Sequence, residues 1–351
     1  MKPHAPPQRI AVVGAGMAGL ACARTLLQAG CEVALFEATR ESGGRMATED
    51  SPFGGFDSGA QYFTVRDARF AKTLELAAPG LVRRWSVSAV RVLDERGRVV
   101  EAAAPPHEAH WIPVPGMAAL ARHWASPLAE RGALHLGTRV LGARRGAAST
   151  APWSLQVQDD AGRAIEHGGF DAIAWALPAP VLCALLPQSA HALARALDPV
   201  VMGPCWSLML AFPQAEQPGL QALGPQWNAA RSTHHRLAWL ARETAKPQRG
   251  GIERWVVQAG HDWSLKHERD DPERVAAKLL KAFGEITGIR ATPAHSAARL
   301  WPHARTLQPF GRSHLWQPEP GLGACGDWCL GQRVEDAFAS GLELALAMLD
   351  E

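Results

Sequence analysis

The sequence has little of what several protein classes require. It contains a single tyrosine, and its six cysteines form no CxxC pair. Cys325 and Cys329 lie four residues apart without a second pair, and the 14 histidines show no metal-ligand spacing, so no metal site is expected. The net charge of +2 comes without a basic run, which argues against a nucleic-acid partner. The most apolar later stretch, 172–187, contains prolines and is too short to span a bilayer.

These absences predict a reduced, cytoplasmic protein without nucleic-acid or membrane partners. The N-terminus has no signal pattern, since glycines interrupt its first apolar stretch. At 351 residues and 47% hydrophobic composition, the chain is long enough for two domains with a large core.

The residues near the N-terminus follow the pattern of a dinucleotide-binding βαβ unit. A short apolar run at 10–13 predicts a buried strand, the glycine-rich segment 14–19 a turn, and 20–29 a helix closed by a glycine. A second apolar run at 32–36 ends on Glu37. Strand, glycine turn, helix, strand and acid at this spacing predict a phosphate-binding fold.

Each residue type in this motif has a physical role. Gly14 permits the tight turn, Gly16 lets a pyrophosphate approach the backbone, and Gly19 lets the helix lie close to the strand. The helix N-terminus offers free N–H groups and partial positive charge. Glu37 can accept both ribose hydroxyls, and it disfavours a 2′-phosphate, which argues against NADP. The predicted contacts are Gly14, Ala15, Gly16, Met17, Ala18, Gly19, Glu37 and Ala38.

Two further motifs follow the ribose acid. In the first, Gly44, Arg45 and Met46 follow another glycine, and Arg45 is expected to neutralise pyrophosphate charge through paired hydrogen bonds. In the second motif, Gly59 is expected to permit close approach to a flat ring, and Gln61 and Tyr62 offer polar atoms beside that ring. Its predicted contacts are Gly59, Ala60, Gln61 and Tyr62.

These motifs resemble those of FAD-dependent amine-oxidase-like flavoproteins and, within them, the bacterial renalases. The resemblance is carried by the segments GAGMAGLACARTL, ESGGRMAT, FDSGAQYFTVRDARF, WIPVPGM, WLARETAKP and CGDWCLGQRVEDAFASG, which cover most of the chain. It implies a Rossmann-type FAD-binding domain with a second α+β substrate domain on a mixed or antiparallel sheet. The expected FAD-binding domain comprises 1–75, 111–180 and 296–351, and the expected substrate domain comprises 76–110 and 181–295.

The resemblance also implies further contacts to non-covalently bound FAD. Val140 is expected to contact the adenine through its backbone, and Ala176 lies at a strand end beside the cofactor. Asp327 is expected to hold a ribitol hydroxyl. The helix that starts near Val334 points its N-terminus at the flavin, where it stabilises negative charge. The expected contacts are Val140, Ala176, Gly326, Asp327, Arg333, Val334 and Glu335.

The activity implied is oxidation of the 2- and 6-dihydro isomers of NAD(P)H to NAD(P)⁺. Hydride passes to the flavin, and O₂ is reduced to hydrogen peroxide. Because the flavin carries this chemistry, no catalytic side chain is assigned. Aromatic and polar side chains are candidates for substrate contact. They are Tyr62, Trp111, Trp206, Trp239, His235 and Arg242.

Two alternatives remain open. The first is an amine oxidase or another desaturase-type flavoprotein. Amine oxidases frame the flavin with two aromatics and place a lysine near its N5, and none of the six lysines here follows a substrate-domain strand in an obvious buried context. The second alternative is a non-catalytic flavin-binding protein. The segment Trp301-Pro302-His303 departs from the renalase pattern, which has aromatics there.

Local patterns predict several later elements. We expect a strand over 134–140 and a flexible basic loop over 142–150. Segments 237–241 and 254–260 are predicted to be adjacent strands, and 271–287 an amphipathic helix. Residues 291–301 are expected to return the chain to the first domain.

Overall fold

The computed structural model of the protein describes most of the chain. The described residues are 8–85, 90–102, 108–146, 148, 151–187, 190–216, 225 and 227–350. The predicted fold class is confirmed, because a largely parallel sheet with helices is joined to a second, mixed sheet. No helix among the described residues is both long and apolar enough to pass through a bilayer.

The first sheet has six strands and is parallel except at one edge. Its order is β17 (Leu315–Gln317), β18 (Leu322–Ala324), β11 (Ala172–Trp175), β1 (Arg9–Val13), β2 (Glu32–Phe36) and β7 (Leu134–His135). β17 runs antiparallel to β18. The central strands β1 and β11 are apolar and buried, because both faces of the sheet are covered.

Helices cover one face of this sheet. They are α1 (Met17–Gln28), α2 (Ala68–Ala77), α3 (Ala118–Glu130) and α8 (Val334–Leu349). α1 begins at Met17, three residues earlier than predicted, and Gly30 follows its end with a φ of 93°, as a helix-ending glycine does. α1 and α8 approach closely at Gly341, where an added Cβ would lie 2.0 Å from the carbonyl oxygen of Ala18.

The other face is covered by a small antiparallel sheet and two helices. The strands are β8 (Thr138–Arg145), β9 (Trp153–Asp159) and β10 (Ala164–Phe170), and the helices are α4 (Ala179–Leu185) and α5 (His191–Leu197). Leu182 and Leu193 of these helices are fully buried in the same apolar cluster as Trp175 of β11. The expectation that 181–197 belongs to the substrate domain is therefore wrong, since these helices pack on the first sheet.

The second sheet has seven strands. Its order is β16 (His295–Gln308), β12 (Val201–Phe212), β15 (Glu253–Ala259), β14 (Leu237–Arg242), β13 (Ala229–Ser232), β4 (Val90–Leu93) and β5 (Val99–Ala102). All neighbours are antiparallel except β4 and β13. The predicted pairing of β14 with β15 is confirmed.

The remaining helices and strands complete this unit. α7 (Pro272–Thr287), which has Asp271 as its N-cap, buries an apolar stripe against the second sheet, as its periodicity predicted. α6 (His261–Lys266) follows β15. β3 (Val82–Trp85) pairs with β6 (His110–Pro113) in a separate ribbon. Short 3₁₀ turns lie at Gly44–Met46, Pro213–Glu216, Glu243–Ala245 and Asp327–Cys329.

Three local predictions are corrected. The strand predicted over 134–140 is two strands, because Gly137 turns the chain with a φ of 61°. The segment predicted as a loop from 142 continues β8 to Arg145, since it pairs with β9; residues 147, 149 and 150 lie outside the described residues. Residues 295–308 do not return to the first domain, because β16 pairs along β12 in the second sheet.

Candidate cofactor and substrate site

A cavity of about 690 Å³ lies where the two large sheets meet, within the size range of small-molecule and cofactor sites. We give the name cofactor half to the lining residues that fall within 14–62, 176–178 and 326–337. We give the name substrate half to the lining residues from the second sheet and from the start of α6. These are Pro204, Cys205, Arg231, Ala238, Trp239, Gln258, Ala259, His261 and 301–305.

The glycine turn forms the floor of the cofactor half. Gly14 has a φ of 103° and donates its N–H to Phe36 O at 2.8 Å, which ties β1 to β2. A Cβ added at Gly16 would have no atom within 4 Å, so the space above it is open. A Cβ at Gly19 would lie 1.8 Å from the carbonyl oxygen of Gly14, so that glycine is required for packing. The N–H of Leu20 donates to Gly16 O and closes the first turn of α1. The preceding N–H groups therefore have no acceptor within the helix and lie at the end of α1 that meets the cavity.

Glu37 lines the cavity at the end of β2. One carboxylate oxygen accepts the N–H of Ala15 at 2.8 Å, and the other accepts the N–H and hydroxyl of Thr39 at 2.9 and 2.8 Å. These bonds orient the carboxylate, whose oxygens retain lone pairs for ribose hydroxyls. Ala15 itself is fully buried, and neither it nor Ala38 lines the cavity.

The strand end predicted to lie beside the cofactor does line the cavity. Ala176 follows β11 and donates its N–H to Val13 O at 2.8 Å, and Leu177 and Pro178 line the cavity with it. Val140, by contrast, is 6% exposed within the apolar cluster under β8 and does not line the cavity. The strand turns this side chain towards the core, and the predicted contact between the Val140 backbone and the adenine stays a prediction.

Arg45 and Asp327 both line the cavity, but they bind each other. The guanidinium donates to both carboxylate oxygens at 2.8 and 2.6 Å. The sequence predicted two separate cofactor contacts, and the structure joins them into a bidentate pair across 282 residues. Such a pair fixes both side chains, and the guanidinium keeps N–H groups for a phosphate.

The segment containing Gly59 and Gln61 differs in detail from its prediction. A Cβ at Gly59 would lie 2.0 Å from the carbonyl oxygen of Arg45, so this glycine admits the neighbouring backbone rather than a ring. The Gln61 amide nitrogen donates to the carbonyls of Asp57 and Gly59. The amide therefore braces its own turn instead of offering polar atoms to the cavity, although Gln61 lines it.

Behind Gln61 lies a buried charged network that the sequence did not reveal. Lys246 Nζ donates to Asp57 Oδ2 at 2.9 Å, Glu243 Oε1 at 2.5 Å and Gln61 Oε1 at 3.3 Å. Arg249 Nη1 lies 2.5 Å from Asp57 Oδ2 and also binds Glu243. The neighbouring cations hold the pKa of Asp57 below its usual range despite burial, so its carboxylate stays ionised.

The prediction that no lysine follows a substrate-domain strand in a buried context is wrong. Lys246 comes four residues after β14 and its side chain is 0% exposed. The polar residues that flank Lys246 in the sequence are typical of an exposed turn, so the local pattern gave no sign that the lysine is buried. Lys246 does not line the cavity, however, and its ammonium is neutralised by two carboxylates.

Aromatic rings gather where the two halves meet. Tyr62 stacks on His110 with ring centroids 3.9 Å apart and lies 5.8 Å from Trp239 and 6.4 Å from Trp85. Burial lowers the pKa of His110, and the positive charge of Arg231 lowers it further. Tyr62 and Trp239 line the cavity as predicted, whereas His110 gave no signal in the sequence.

The substrate half carries positive charge. Arg231 and Arg305 line it with His261 and His303, and none of its described lining residues is Asp or Glu. Sequence reasoning missed Arg231, His261 and Arg305, because they lie on two different strands and at the start of a helix and meet only in the folded protein. The segment Trp301-Pro302-His303, which departs from the renalase pattern, does line the cavity.

Cys205 also lines the substrate half. Burial raises the pKa of its thiol to about 12, and the thiol donates to the carbonyls of Trp206 and Ala259 at 3.6 Å. A thiol in this environment is a poor nucleophile.

Several predicted substrate residues lie elsewhere. The Trp206 indole donates to His267 O at 3.0 Å inside the second core, and Trp111 pairs with Phe63 across a β-bridge. His235 accepts a bond from Arg236 at 3.1 Å and does not line the cavity. These assignments are wrong because Trp206 and Trp111 pack into cores and His235 lies exposed in the turn between β13 and β14.

Arg242 is similarly withdrawn from the site. It forms an ion pair with Glu253 at 2.8 Å and lies over the ring of Trp255, and it does not line the cavity. Its assignment to the substrate is wrong because Glu253 and Trp255 hold its guanidinium outside the cavity lining.

The N-terminus of α8 reaches the cavity through Arg333 and Val334. Asp336 caps this helix by accepting the N–H groups of Gln332 and Arg333 at 3.0 and 2.9 Å. Glu335 points away and accepts bonds from the 64–67 segment, so its side chain is not available to a cofactor.

An elongated dinucleotide such as FAD fits the cofactor half. The open space above Gly16 and the start of α1 suit its phosphates, Glu37 suits a ribose, and the start of α8 suits the electron-rich end of a flavin ring.

Comparison with known proteins agrees with this geometry. Residues 12–74 match an NAD(P)-binding Rossmann-like domain. The chain is 51% identical over 59 residues to a hydroxyneurosporene desaturase of Cereibacter sphaeroides; this match covers 17% of the chain and 12% of the desaturase.

Two solved structures share the fold over nearly the whole chain. A putative protoporphyrinogen oxidase from Exiguobacterium sp. has a TM-score of 0.77 at 16% identity, covering 99% of this chain and 100% of that one. A putrescine oxidase double mutant has a TM-score of 0.69 at 13% identity, with coverage of 99% and 100%. Residues 106–349, more than half of the chain, match the flavin containing amine oxidoreductases. The chain belongs to the flavin containing amine oxidoreductase family.

Proposed function

We propose that the protein is a renalase-type oxidase that binds FAD without a covalent bond and oxidises the 2- and 6-dihydro isomers of NAD(P)H. The substrate loses a hydride, which carries two electrons, and becomes NAD(P)⁺. When bound, FAD would accept that hydride and pass its electrons to O₂, which with two protons gives hydrogen peroxide.

The observation that carries this proposal is the charge of the substrate half. Arg231, Arg305 and two histidines line it, and its described lining residues include no carboxylate. An amine substrate in its ammonium form would be repelled there, whereas the pyrophosphate of a dinucleotide would be attracted. Both arginines are exposed, so each contributes about 1 kcal/mol, as expected for a charge pair at 4 Å in a water-like dielectric.

The aromatic rings at the junction of the two halves support the same substrate class. Tyr62 and Trp239 line the cavity and offer ring faces against which a flat dihydronicotinamide can stack. Stacking would hold the ring of the substrate parallel to a flavin, which is the arrangement hydride transfer needs.

The chemistry requires little from the side chains. Dihydronicotinamide isomers lose a hydride to form an aromatic cation, so no proton has to be removed from the reacting carbon. Cys205 is held as a neutral thiol, and Lys246 is neutralised behind the wall. The protein would then bind, orient and exclude water.

The membership in an amine oxidoreductase family keeps amine oxidation as the competing function. Amine substrates bind best where carboxylates or unobstructed aromatic faces neutralise the ammonium. The carboxylates lining the cavity are Glu37 and Asp327, both in the cofactor half and both already hydrogen-bonded.

Anaerobic stopped-flow mixing distinguishes these functions. FAD-loaded protein is mixed in turn with 2-dihydroNAD, 6-dihydroNAD, ordinary NADH, putrescine and benzylamine, and bleaching of the flavin absorbance is followed. We expect rapid bleaching by the two isomers and one hydrogen peroxide per substrate when O₂ is admitted. Bleaching by the amines alone would establish amine oxidation, and no bleaching by any compound would indicate a non-catalytic flavoprotein.

Acid precipitation tests the mode of cofactor binding. All yellow colour should pass into the supernatant, because Cys205 is the cysteine among the described lining residues and its thiol is not ionised. Colour that stays with the precipitated protein would disprove non-covalent binding.

A further inference from the structure

A second cavity of about 410 Å³ shares no lining residue with the cofactor and substrate site. Two glycine-rich segments border it, 52–55 with the sequence Pro-Phe-Gly-Gly and 248–251 with the sequence Gln-Arg-Gly-Gly. We call it the loop cavity. Gln248 has a φ of 59° and is the non-glycine residue with a positive φ among the described residues, so the second segment is held in a specific conformation.

The loop cavity has an exposed rim and a buried cationic floor. Pro52, Gly54 and Gln248 on the rim are exposed to solvent. Arg249 and Arg254 also line the cavity, and each is only 5% exposed. A charged ligand could therefore enter from solvent and come close to two guanidinium groups. Neighbouring atoms cover their unbonded nitrogens, so contact with them requires a small shift of the glycine-rich segments that border the cavity.

These two guanidinium groups are incompletely hydrogen-bonded. Arg254 donates through Nη1 to Phe53 O at 2.8 Å and through Nη2 to Arg249 O at 3.1 Å, but its Nε has no partner. Arg249 binds its two carboxylates through Nη1, and its Nε and Nη2 have no partner. Buried polar groups of native proteins are nearly always bonded, so three unbonded nitrogens on two arginines that line the same cavity indicate a missing acceptor.

The local charges are also unbalanced. Lys246, Arg249 and Arg254 provide three positive charges, against which Asp57 and Glu243 provide two negative ones. Within the described part of the chain, no carboxylate oxygen lies within 4.0 Å of the Arg254 guanidinium. A buried cation without a counterion is costly, and an anion beside Arg254 would remove that cost.

We propose that the loop cavity binds a phosphate group, either as inorganic phosphate or as part of a small phosphomonoester. A phosphate group carries close to two negative charges at neutral pH and has three strong acceptor oxygens, which matches the three unbonded guanidinium nitrogens. The cavity volume leaves room for an organic substituent directed towards the rim.

One residue, Arg249, connects the loop cavity to the wall of the main site. Arg249 contacts Asp57 Oδ2 at 2.5 Å, and Asp57 O accepts the Gln61 amide in the wall of the cofactor half. A phosphate that draws on Arg249 would therefore alter the bracing of that wall.

Isothermal titration of the FAD-loaded full-length protein tests the proposal. Inorganic phosphate, glycerol phosphate, acetate and chloride are titrated separately at one constant ionic strength. We expect one equivalent of either phosphate to bind, and neither acetate nor chloride to give a comparable isotherm. Tighter binding of inorganic phosphate or of glycerol phosphate identifies which of the two is the ligand, and both results support the site.

Four variants locate the binding. Arg254→Gln should weaken phosphate binding about tenfold or more, because it removes the unpaired cation. Gln248→Glu, on the exposed rim, should weaken it while leaving the melting temperature unchanged, and it serves if Arg254→Gln does not fold. Arg144→Gln removes an exposed arginine paired with Glu166 and should change nothing. Arg231→Gln in the substrate half should also leave phosphate affinity unchanged.

The proposal is overturned by any of three results. These are no saturable binding of either phosphate, equal affinity for acetate, and phosphate affinity that is insensitive to both loop-cavity variants or lost in Arg231→Gln.

Discussion

Replacing Lys246 by methionine should destabilise the protein strongly, because the ammonium joins two fully buried carboxylates. Asp57 and Glu243 both have side chains with 0% exposure, and Arg249 would remain as their shared cation. Removing one partner from a buried ion pair typically costs about 3–5 kcal/mol. Here both carboxylates would depend on the Arg249 guanidinium alone, because Arg254 has no carboxylate oxygen within 4.0 Å in the described part of the chain. That loss is a large fraction of the roughly 5–15 kcal/mol by which folded proteins are stable.

The free energy of unfolding is measured by urea denaturation of the FAD-free protein. A matched control is Lys278→Met, which removes a lysine ion-paired with Asp270 at 2.8 Å but with 28% of its side chain exposed. This control should lose no more than about 1 kcal/mol, as partly exposed pairs do.

A second variant separates charge imbalance from lost packing. Lys246→Met combined with Glu243→Gln leaves Asp57 and Arg249 as a neutral pair, so it should recover at least half of the lost stability despite carrying two changes. The reasoning is refuted if Lys246→Met loses no more than Lys278→Met, or if the double variant is less stable than the single one.

Three further predictions follow from the site. Gly16→Ala should weaken FAD binding but leave the melting temperature of the FAD-free protein unchanged, because the space above Gly16 is open. Gly19→Ala should lower the free energy of unfolding by about 3 kcal/mol or more, because its Cβ would overlap the backbone of Gly14. Equal losses of stability for the two variants in calorimetry would contradict the distinction between an open position and a packed one. Arg231→Gln should reduce kcat/KM for 6-dihydroNAD by about fivefold, the equivalent of the about 1 kcal/mol expected from its phosphate contact, yet leave a dihydronicotinamide without a pyrophosphate unaffected. A similar loss for both substrates would show that Arg231 does not bind the pyrophosphate. The folded-state pKa of His110 lies below its ordinary value of 6.5, so the unfolded chain takes up the proton first as the pH falls. The contribution of neutral His110 to the free energy of unfolding is therefore fully present above pH 6.5 and is lost as the pH falls through the folded pKa. His110→Phe should flatten that decline by at most about 1.4 kcal/mol per pH unit, and an unchanged pH profile of urea midpoints would contradict the assignment.

The cofactor half was largely predictable because its signals are local. Gly14, Gly16 and Glu37 lie within one βαβ unit, where adjacent strands and the intervening helix fix their relative positions. Short-range geometry therefore determines where these residues lie, and their spacing along the chain carries the information.

The substrate half was not predictable in the same way. Arg231, His261 and Arg305 come from separate elements that meet only after the seven-stranded sheet forms. Alternation along one strand indicates which residues share a face, but it does not reveal which neighbouring strand lies beside it or which face meets the cavity. Trp206 illustrates this limit, since its pattern suited a pocket wall and its ring lies in a core.

Local sequence patterns were enough to predict the α/β architecture and the glycine-rich cradle, because hydrophobic periodicity, turn chemistry and motif spacing act over a few residues. The pairing of distant charges became visible only in the folded protein. Arg45 meets Asp327 across 282 residues, and Lys246 meets Asp57 across 189. Whether an arginine faces a ligand or a carboxylate, and whether a lysine is buried, depends on which surfaces come together, and no local pattern encodes that contact.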